Sequence, residues 1–324
     1  MGRDPRLLIP KGLKPADVRA SRIDAPVRRL SGATMGTGWS LSFAAHGTVE
    51  TASVVAALEE SFALVIRQMS GWERGSDLSR FNAAEAGWRD IPPEFAFVLQ
   101  RALQIAAITD GAYDPALGRD VEAAGFGAGL LSPAANVGWR GVELDMVGLR
   151  VKQPGRVALD LSSIAKGYTV DLCADALRLL NVPSFLMEIG GEFVGRGVKP
   201  DAQPWWVQLE LSDLSYAEGE PYGTDVALVN LAVATSGDFV RRRQGASHLL
   251  DGRTRQSLNG EVSGVAVLHA SAMQADGWAT ALFALGRDAG LAMAEAQGLA
   301  AVFAVRGEGG ARTLLSSAAQ EMLD

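Results

Sequence analysis

The stretch VSGVAVLHASAMQADGWATALFALGRDAGLAMAEAQGLAAVFAV (262–305) decides the fold class. Its opening run, Val262–Ala270, is apolar, valine-rich and bounded by polar residues, which predicts a buried strand. Met273–Leu285 and Asp288–Ala296 read as two helices in succession, and Leu299–Val305 as another strand. Two consecutive helices between strands break a regular strand–helix–strand alternation, so the chain is expected to be α+β rather than a doubly wound parallel sheet.

The same reading extends outward. Arg28–Ala44 alternates around a turn at Gly36-Thr37-Gly38. Thr51–Met69 carries apolar residues at helical spacing, and Pro92-Pro93 opens a second helix reaching about Ile108. Val157–Leu161 is expected as a short strand, followed by a helix capped by Ser162 or Ser163 and ending near Leu180. Phe185–Ile189, Trp205–Leu211 and Val226–Ala234 complete the strand candidates, with turns at Gly190-Gly191 and Gly195–Gly197. Residues 1–29 read as an extended amino-terminal arm without an apolar secretory core, which gives cytoplasmic as the expected location.

Composition excludes several classes. The chain has 324 residues, 48% hydrophobic and 21% charged, which suits a globular enzyme-sized protein with its own core. One cysteine, Cys173, rules out an internal disulfide framework and a Cys-rich metal site. A net charge of −7 argues against a nucleic-acid-coating surface, and no apolar run is long enough for a spanning helix. P-loop, GxSxG and HExxH motifs are absent.

Other segments concentrate glycine and oxygen-bearing side chains. In LDLSSIAKGY (159–168) a strand end runs into a helix start, a natural anion site, with Lys166 adding positive charge one turn in. A plain N-cap with a solvated lysine explains the same residues. Asp276 and Thr280 lie four apart on a helix and share a face, a donor pair suited to a hard cation such as Mg²⁺. A capping aspartate with a back-bonding threonine is the bland alternative. His248 follows the polar Thr235-Ser-Gly-Asp238 segment and precedes Asp251, a setting compatible with proton transfer, whereas His269 and His46 read as structural. Met35, Trp72 and the Gly111-Ala112-Tyr113-Asp114 segment sit beside turns, where they can stack on a flat ring or simply pack the core.

The order of these motifs resembles the ApbE family of FAD:protein FMN transferases. The blocks are MGT (35–37), SRFN (79–82), GAYDPALG (111–118), LDLSSIAKGY (159–168), Ile189-Gly-Gly191, TSGD (235–238), SHLLD (247–251) and ADGWATALFALG (275–286), and the resemblance covers about residues 30–310. The resemblance implies a T-fold-like α+β domain over 30–324, with FAD held between two lobes. It implies Mg²⁺-assisted cleavage of the FAD pyrophosphate, transfer of FMN to a Thr or Ser of a target flavoprotein, and release of AMP. Carried over by position, Asp276, Thr280 and an oxygen of Ser163 would hold the metal. Met35, Trp72, Ala112, Tyr113, Asp114, Asp160, Lys166 and Leu250 would contact flavin or adenine. His248, or Asp251 working with it, would take the proton of the incoming hydroxyl, and Lys166 would help neutralise the diphosphate.

Departures from the family pattern are specific. HIIDPRTG becomes His248-Leu-Leu-Asp-Gly-Arg-Thr-Arg255, which replaces a rigid proline with Gly252 and a permissive glycine with Arg255. Ala124 replaces a tryptophan before Gly-Phe-Gly, and Ala279 stands where some relatives carry a second carboxylate. Two other outcomes fit the same motifs: an FAD pyrophosphatase releasing FMN and AMP, or an FAD-binding protein without turnover.

Overall fold

The computed structural model describes residues 4–18, 25–44, 49–131, 137–155, 157–239, 242–243 and 246–324, so His46 lies outside the described residues. In chain order the strands begin β1 (Arg6–Leu8), β2 (Val27–Thr34), β3 (Thr37–Ala44), β4 (Gly87–Asp90), β5 (Glu143–Asp145), β6 (Arg150–Gln153), β7 (Ser184–Ile189) and β8 (Glu192–Arg196). They continue as β9 (Trp205–Gln208), β10 (Thr224–Leu228), β11 (Leu231–Gly237), β12 (Arg242–Arg243), β13 (Ala246–Ser247), β14 (Val262–His269), β15 (Ala300–Gly307) and β16 (Gly310–Leu315). The α-helices are α1 (Thr51–Met69), α2 (Asp77–Ala83), α3 (Pro93–Ile108), α4 (Gly118–Ala123), α5 (Ala165–Leu179), α6 (Ala272–Leu285), α7 (Arg287–Gln297) and α8 (Ser317–Gln320).

An eight-stranded sheet in the order β16-β15-β14-β11-β8-β7-β3-β2 forms the centre, and its neighbouring strands pair antiparallel. Both faces of its middle are covered. Along β14, Val265 and Val267 pack into a cluster with residues of α3 and α6. Ala266 and Leu268 face the opposite way, into a cluster with Trp205, Val207, Val226 and Leu228 of the small β1-β10-β9 sheet. The two-residue alternation of a strand thus meets apolar partners on each side, which is why this run has no polar face. β15 repeats the device, with Phe303 on the helical side and Val302 and Ala304 on the other. A further sheet, β4-β6-β5, stands apart from the central one.

Three expectations are corrected. Val226–Ala234 is two strands, because Asn230 takes a left-handed conformation (φ 53°) and the chain passes from the small sheet to the central one. Val157–Leu161 contributes only a bridge between Ala158 and Leu117. Side chains hold its backbone instead: Asn82 brackets Leu159, accepting from its N–H (2.7 Å) and donating to its carbonyl (2.8 Å). Neither Ser162 nor Ser163 caps α5, which begins after Ile164, a residue whose own side chain makes no cap. At the amino terminus, Arg6–Leu8 is extended and docked, pairing with Thr224–Val226 and burying Leu8 fully.

Helices α5 and α6 cross at Gly167. A Cβ there would stand 2.3 Å from the Ala272 carbonyl oxygen and 2.8 Å from Asp276 Cβ. Gly167→Ala gains about 1 kcal/mol of helix propensity. Overpacking against backbone outweighs that gain, so a net loss of about 2 kcal/mol is expected. A denaturant midpoint lowered at unchanged slope would report it.

Candidate functional site

The anchor is α6. Ser271 caps its first turn by accepting from Gln274 N. Asp171 of α5 accepts from Ala272 N (2.8 Å), Met273 N (3.0 Å) and the Ser271 hydroxyl (2.6 Å). One turn further along α6, Asp276 returns the interaction. Its Oδ2 accepts from Gly167 N at 2.9 Å, one of the amides in the first turn of α5 that lack an intrahelical partner. A carboxylate from another helix therefore does the capping work expected of a serine, at the positive end of the α5 dipole. Asp276 is 2% exposed, and burial raises its carboxyl above the ordinary range, against the lowering effects of Lys166 and the Gly167 amide.

Lys166 and Thr280 flank this carboxylate. Lys166 Nζ lies 2.5 Å from Glu192 Oε1, and Glu192 is 1% exposed. The hydroxyls of Thr280 and Ser236 are 2.9 Å apart, which joins the Asp276/Thr280 pair to the Thr235–Asp238 segment. Within that segment Asp238 is buried and salt-bridged to Arg306 at 2.5 Å. Ser163 donates to the Tyr113 hydroxyl at 3.1 Å. Burial and the nearby negative charges of Asp276, Asp160 and Asp114 push that hydroxyl's titration well up, despite the Ser163 bond. Residues 113, 160, 163, 166, 276 and 280, scattered through the sequence, thus belong to one neighbourhood.

A second group lies on the 111–114 turn. Burial raises the Asp114 carboxyl, while amides of Ala116 (2.7 Å) and Trp139 (3.2 Å) donate to it. The 248–255 loop docks here. Gly252 N donates to the Ala112 carbonyl at 3.1 Å, and a Cβ on Gly252 would be 2.2 Å from the Gly111 oxygen. Proline could not make that bond, and no side chain fits the space, so the change from the family pattern is accommodated locally. Asp251 is held by Arg253, whose Nε and Nη2 donate at 2.9 and 2.8 Å. Burial works upward on its carboxyl, but these bonds outweigh it and hold it below the usual range. His248 is part-buried with its ring edge-on to Phe126, centroids 6.1 Å apart.

Arg255 does adopt the left-handed conformation, at φ 60°. Left-handed backbone costs a residue bearing Cβ roughly 1–2 kcal/mol. Arg255→Gly is therefore expected to stabilise the chain by about 1 kcal/mol, less the attraction between Arg255 and Asp114, as a raised denaturation midpoint.

The remaining sequence candidates divide. Ala112 and Tyr113 are buried, as core packing requires. Met35 holds φ 49° at the β2–β3 turn, and its sulfur accepts from the Thr169 hydroxyl at 3.7 Å. Trp72 is 66% exposed, so the core does not account for it. Asp160 accepts from Ser162 N at 2.8 Å, and Leu250 is buried beside Ser257 in the docked loop. Glu192 escaped sequence reasoning, although it directly follows the Ile189-Gly-Gly191 block.

A divalent cation suits this donor set. All the candidate donors are oxygens, as Mg²⁺ prefers. Two buried carboxylates, Asp276 and Glu192, face one lysine, and Glu192 Oε2 is buried without a hydrogen-bond partner. Burial pushes both carboxyls up, Glu192 to about 8, and a hard cation bound there would favour their ionised forms.

The α+β fold thus brings together buried carboxylates, a lysine beside a helix start and a part-buried histidine. Comparison with known proteins makes this specific. The ApbE family model matches residues 35–303. The chain is 32% identical to the FAD:protein FMN transferase of Haemophilus influenzae, covering 94% of each chain. It is 30% identical to that of Vibrio cholerae, covering 91% of this chain and 92% of the other. The apo flavinyl transferase ApbE of Pseudomonas stutzeri superposes with a TM-score of 0.82 at 31% identity, over 92% of this chain and 97% of that one. The chain belongs to the ApbE family. No helix among the described residues is long and apolar enough to cross a membrane.

Proposed function

We propose that this chain is an FAD:protein FMN transferase, moving FMN from FAD to a Thr or Ser hydroxyl of an acceptor flavoprotein and releasing AMP. The observation that carries the reading is the buried cluster at the start of α5, where Asp276 receives the Gly167 amide and Lys166 meets Glu192. Relatives of nearly the same length bear that activity in their names.

In the transfer, the acceptor oxygen bonds to the FMN-side phosphorus. The phosphorus–oxygen bond to the AMP half breaks, and AMP leaves with the electron pair. Charge neutralisation and alignment supply most of the catalysis in such a step. Asp276, Thr280 and Ser163 would hold Mg²⁺. When bound, the ion supplies positive charge to the diphosphate oxygens. Lys166 and the α5 amino-terminal dipole add to that field. Met35, Trp72, Ala112, Tyr113, Asp114, Asp160 and Leu250 line the flavin and adenine sites, with Trp72 offering an exposed stacking face.

His248 takes the hydroxyl proton. Asp251, bound through both carboxylate oxygens to Arg253 and depressed in pKa, is the weaker base and acts by shaping the loop that carries His248.

The test is AMP release from FAD, followed by chromatography with Mg²⁺ or EDTA, with and without acceptor. AMP that requires both metal and acceptor is the expected result. FMN and AMP formed without acceptor would instead make the chain a pyrophosphatase, and FAD bound but unchanged alongside a competent acceptor would make it a binding protein.

A further inference from the structure

We infer that Glu192 is the positioning residue that holds the Lys166 ammonium in place for the nucleotide's diphosphate, an assignment that rests on the transferase reading. Its location follows from the backbone. β7 and β8 are joined through Gly190 and Gly191, at φ 61° and 101°, the two positive values that a tight hairpin of the right-handed twist demands. The tip is fixed by its own strand and by the β2–β3 hairpin. Gly190 N donates to the Gly38 carbonyl (3.1 Å), Gly191 N donates to Glu188 Oε1 (3.0 Å), and a Cβ on Gly190 would meet Thr37 Cγ2 at 2.8 Å. Glu192 begins β8 opposite Ile189 on this rigid corner.

From there Oε1 reaches Lys166 Nζ at 2.5 Å, across 26 residues of sequence, while Oε2 stays buried without a partner. As a stability device the arrangement is poor. A buried carboxylate with an unmet oxygen carries a desolvation cost that an apolar residue of similar size would avoid. As a positioning device it is effective. Lysine carries a point charge on a flexible four-carbon stem, and a buried carboxylate on a fixed strand confines that charge to one place. The Lys166 side chain retains 28% exposure while Glu192 has 2%, so the lysine lies at the edge of the cluster and its anchor is buried.

The test is a double-mutant cycle on the full chain with Glu192→Gln, Lys166→Met and the pair, read as FAD affinity by flavin fluorescence and as kcat for transfer. Glutamine keeps the shape of glutamate, so melting temperatures near wild type are expected. Each single change should weaken FAD binding about tenfold, and the pair should bind no more weakly than Lys166→Met alone, which is full coupling. The kcat values should show the same non-additivity. A Glu192→Gln protein within about twofold of wild type, or a pair whose losses multiply to about a hundredfold, would overturn the assignment. If Glu192→Gln fails to fold, Glu192→Met removes the buried charge and enters the same cycle. Coupling in FAD affinity without any transfer by wild type would sink the transferase reading and leave Glu192 assigned. Transfer without coupling would do the reverse.

Discussion

Asp276→Asn is expected to lower FMN transfer by about a hundred- to a thousandfold, the scale seen when a charge-stabilising group is removed from a transition state. The asparagine oxygen can still accept from Gly167 N, so α5 keeps its anchor and the loss falls on chemistry rather than on folding. The stability consequence runs the other way. Burial raises the Asp276 carboxyl above its unfolded value, so in wild type its contribution becomes less favourable as pH rises from about 4 through the raised value. Asparagine does not ionise. The variant should therefore be at least as stable as wild type at neutral pH without added metal, and its stability should fall less across that window. A melting series from acid to neutral pH, run beside the transfer assay, separates the two effects. A variant that melts early would assign Asp276 to structure alone.

His248→Ala carries the second large effect. Removing a general base costs about 10²- to 10⁴-fold in kcat. FAD affinity should stay near wild type, because His248 is placed against Phe126 and acts on the acceptor's proton rather than on the nucleotide. The change also removes an edge-on ring contact, so a small fall in melting temperature accompanies it. Equal falls in FAD affinity and kcat would instead make His248 a nucleotide contact. Arg253→Ala offers a comparison within the same loop. It frees Asp251 while leaving His248 in place, so a smaller loss than that of His248→Ala supports a loop-shaping role for Asp251.

Much of the scaffold was legible in the sequence because its signals are local. Thr51–Met69 carries its apolar stripe at helical spacing and folds as α1 over the same residues. Pro93 sits at the start of α3, where its missing N–H costs nothing. The valine-rich run folds as the strand Val262–His269, buried on both faces.

What escaped depends on residues far apart. The cap of α5 comes from Asp276, 109 positions away, so reading Ser162 or Ser163 as the cap followed a local rule that a distant carboxylate overrode. Val226–Ala234 looked like one strand because both halves are apolar, while the break rests on the backbone conformation of Asn230. Glu192 was invisible for a related reason. A glutamate after two glycines reads as a solvated turn residue until the fold buries it beside Lys166. The docking of the altered 252–255 segment is equally non-local, because neither the Gly252–Ala112 hydrogen bond nor the shortage of space beside Gly111 can be read from a single chain.

The most direct measurement is covalent attachment itself. The chain would be incubated with FAD, Mg²⁺ and an acceptor protein that the Vibrio cholerae relative flavinylates in a parallel reaction, and the products run on a denaturing gel under ultraviolet light. The expected result is a fluorescent acceptor band that survives denaturation, disappears with EDTA and is absent with Asp276→Asn. A dark acceptor band beside a bright one from the Vibrio cholerae reaction would contradict the transferase assignment.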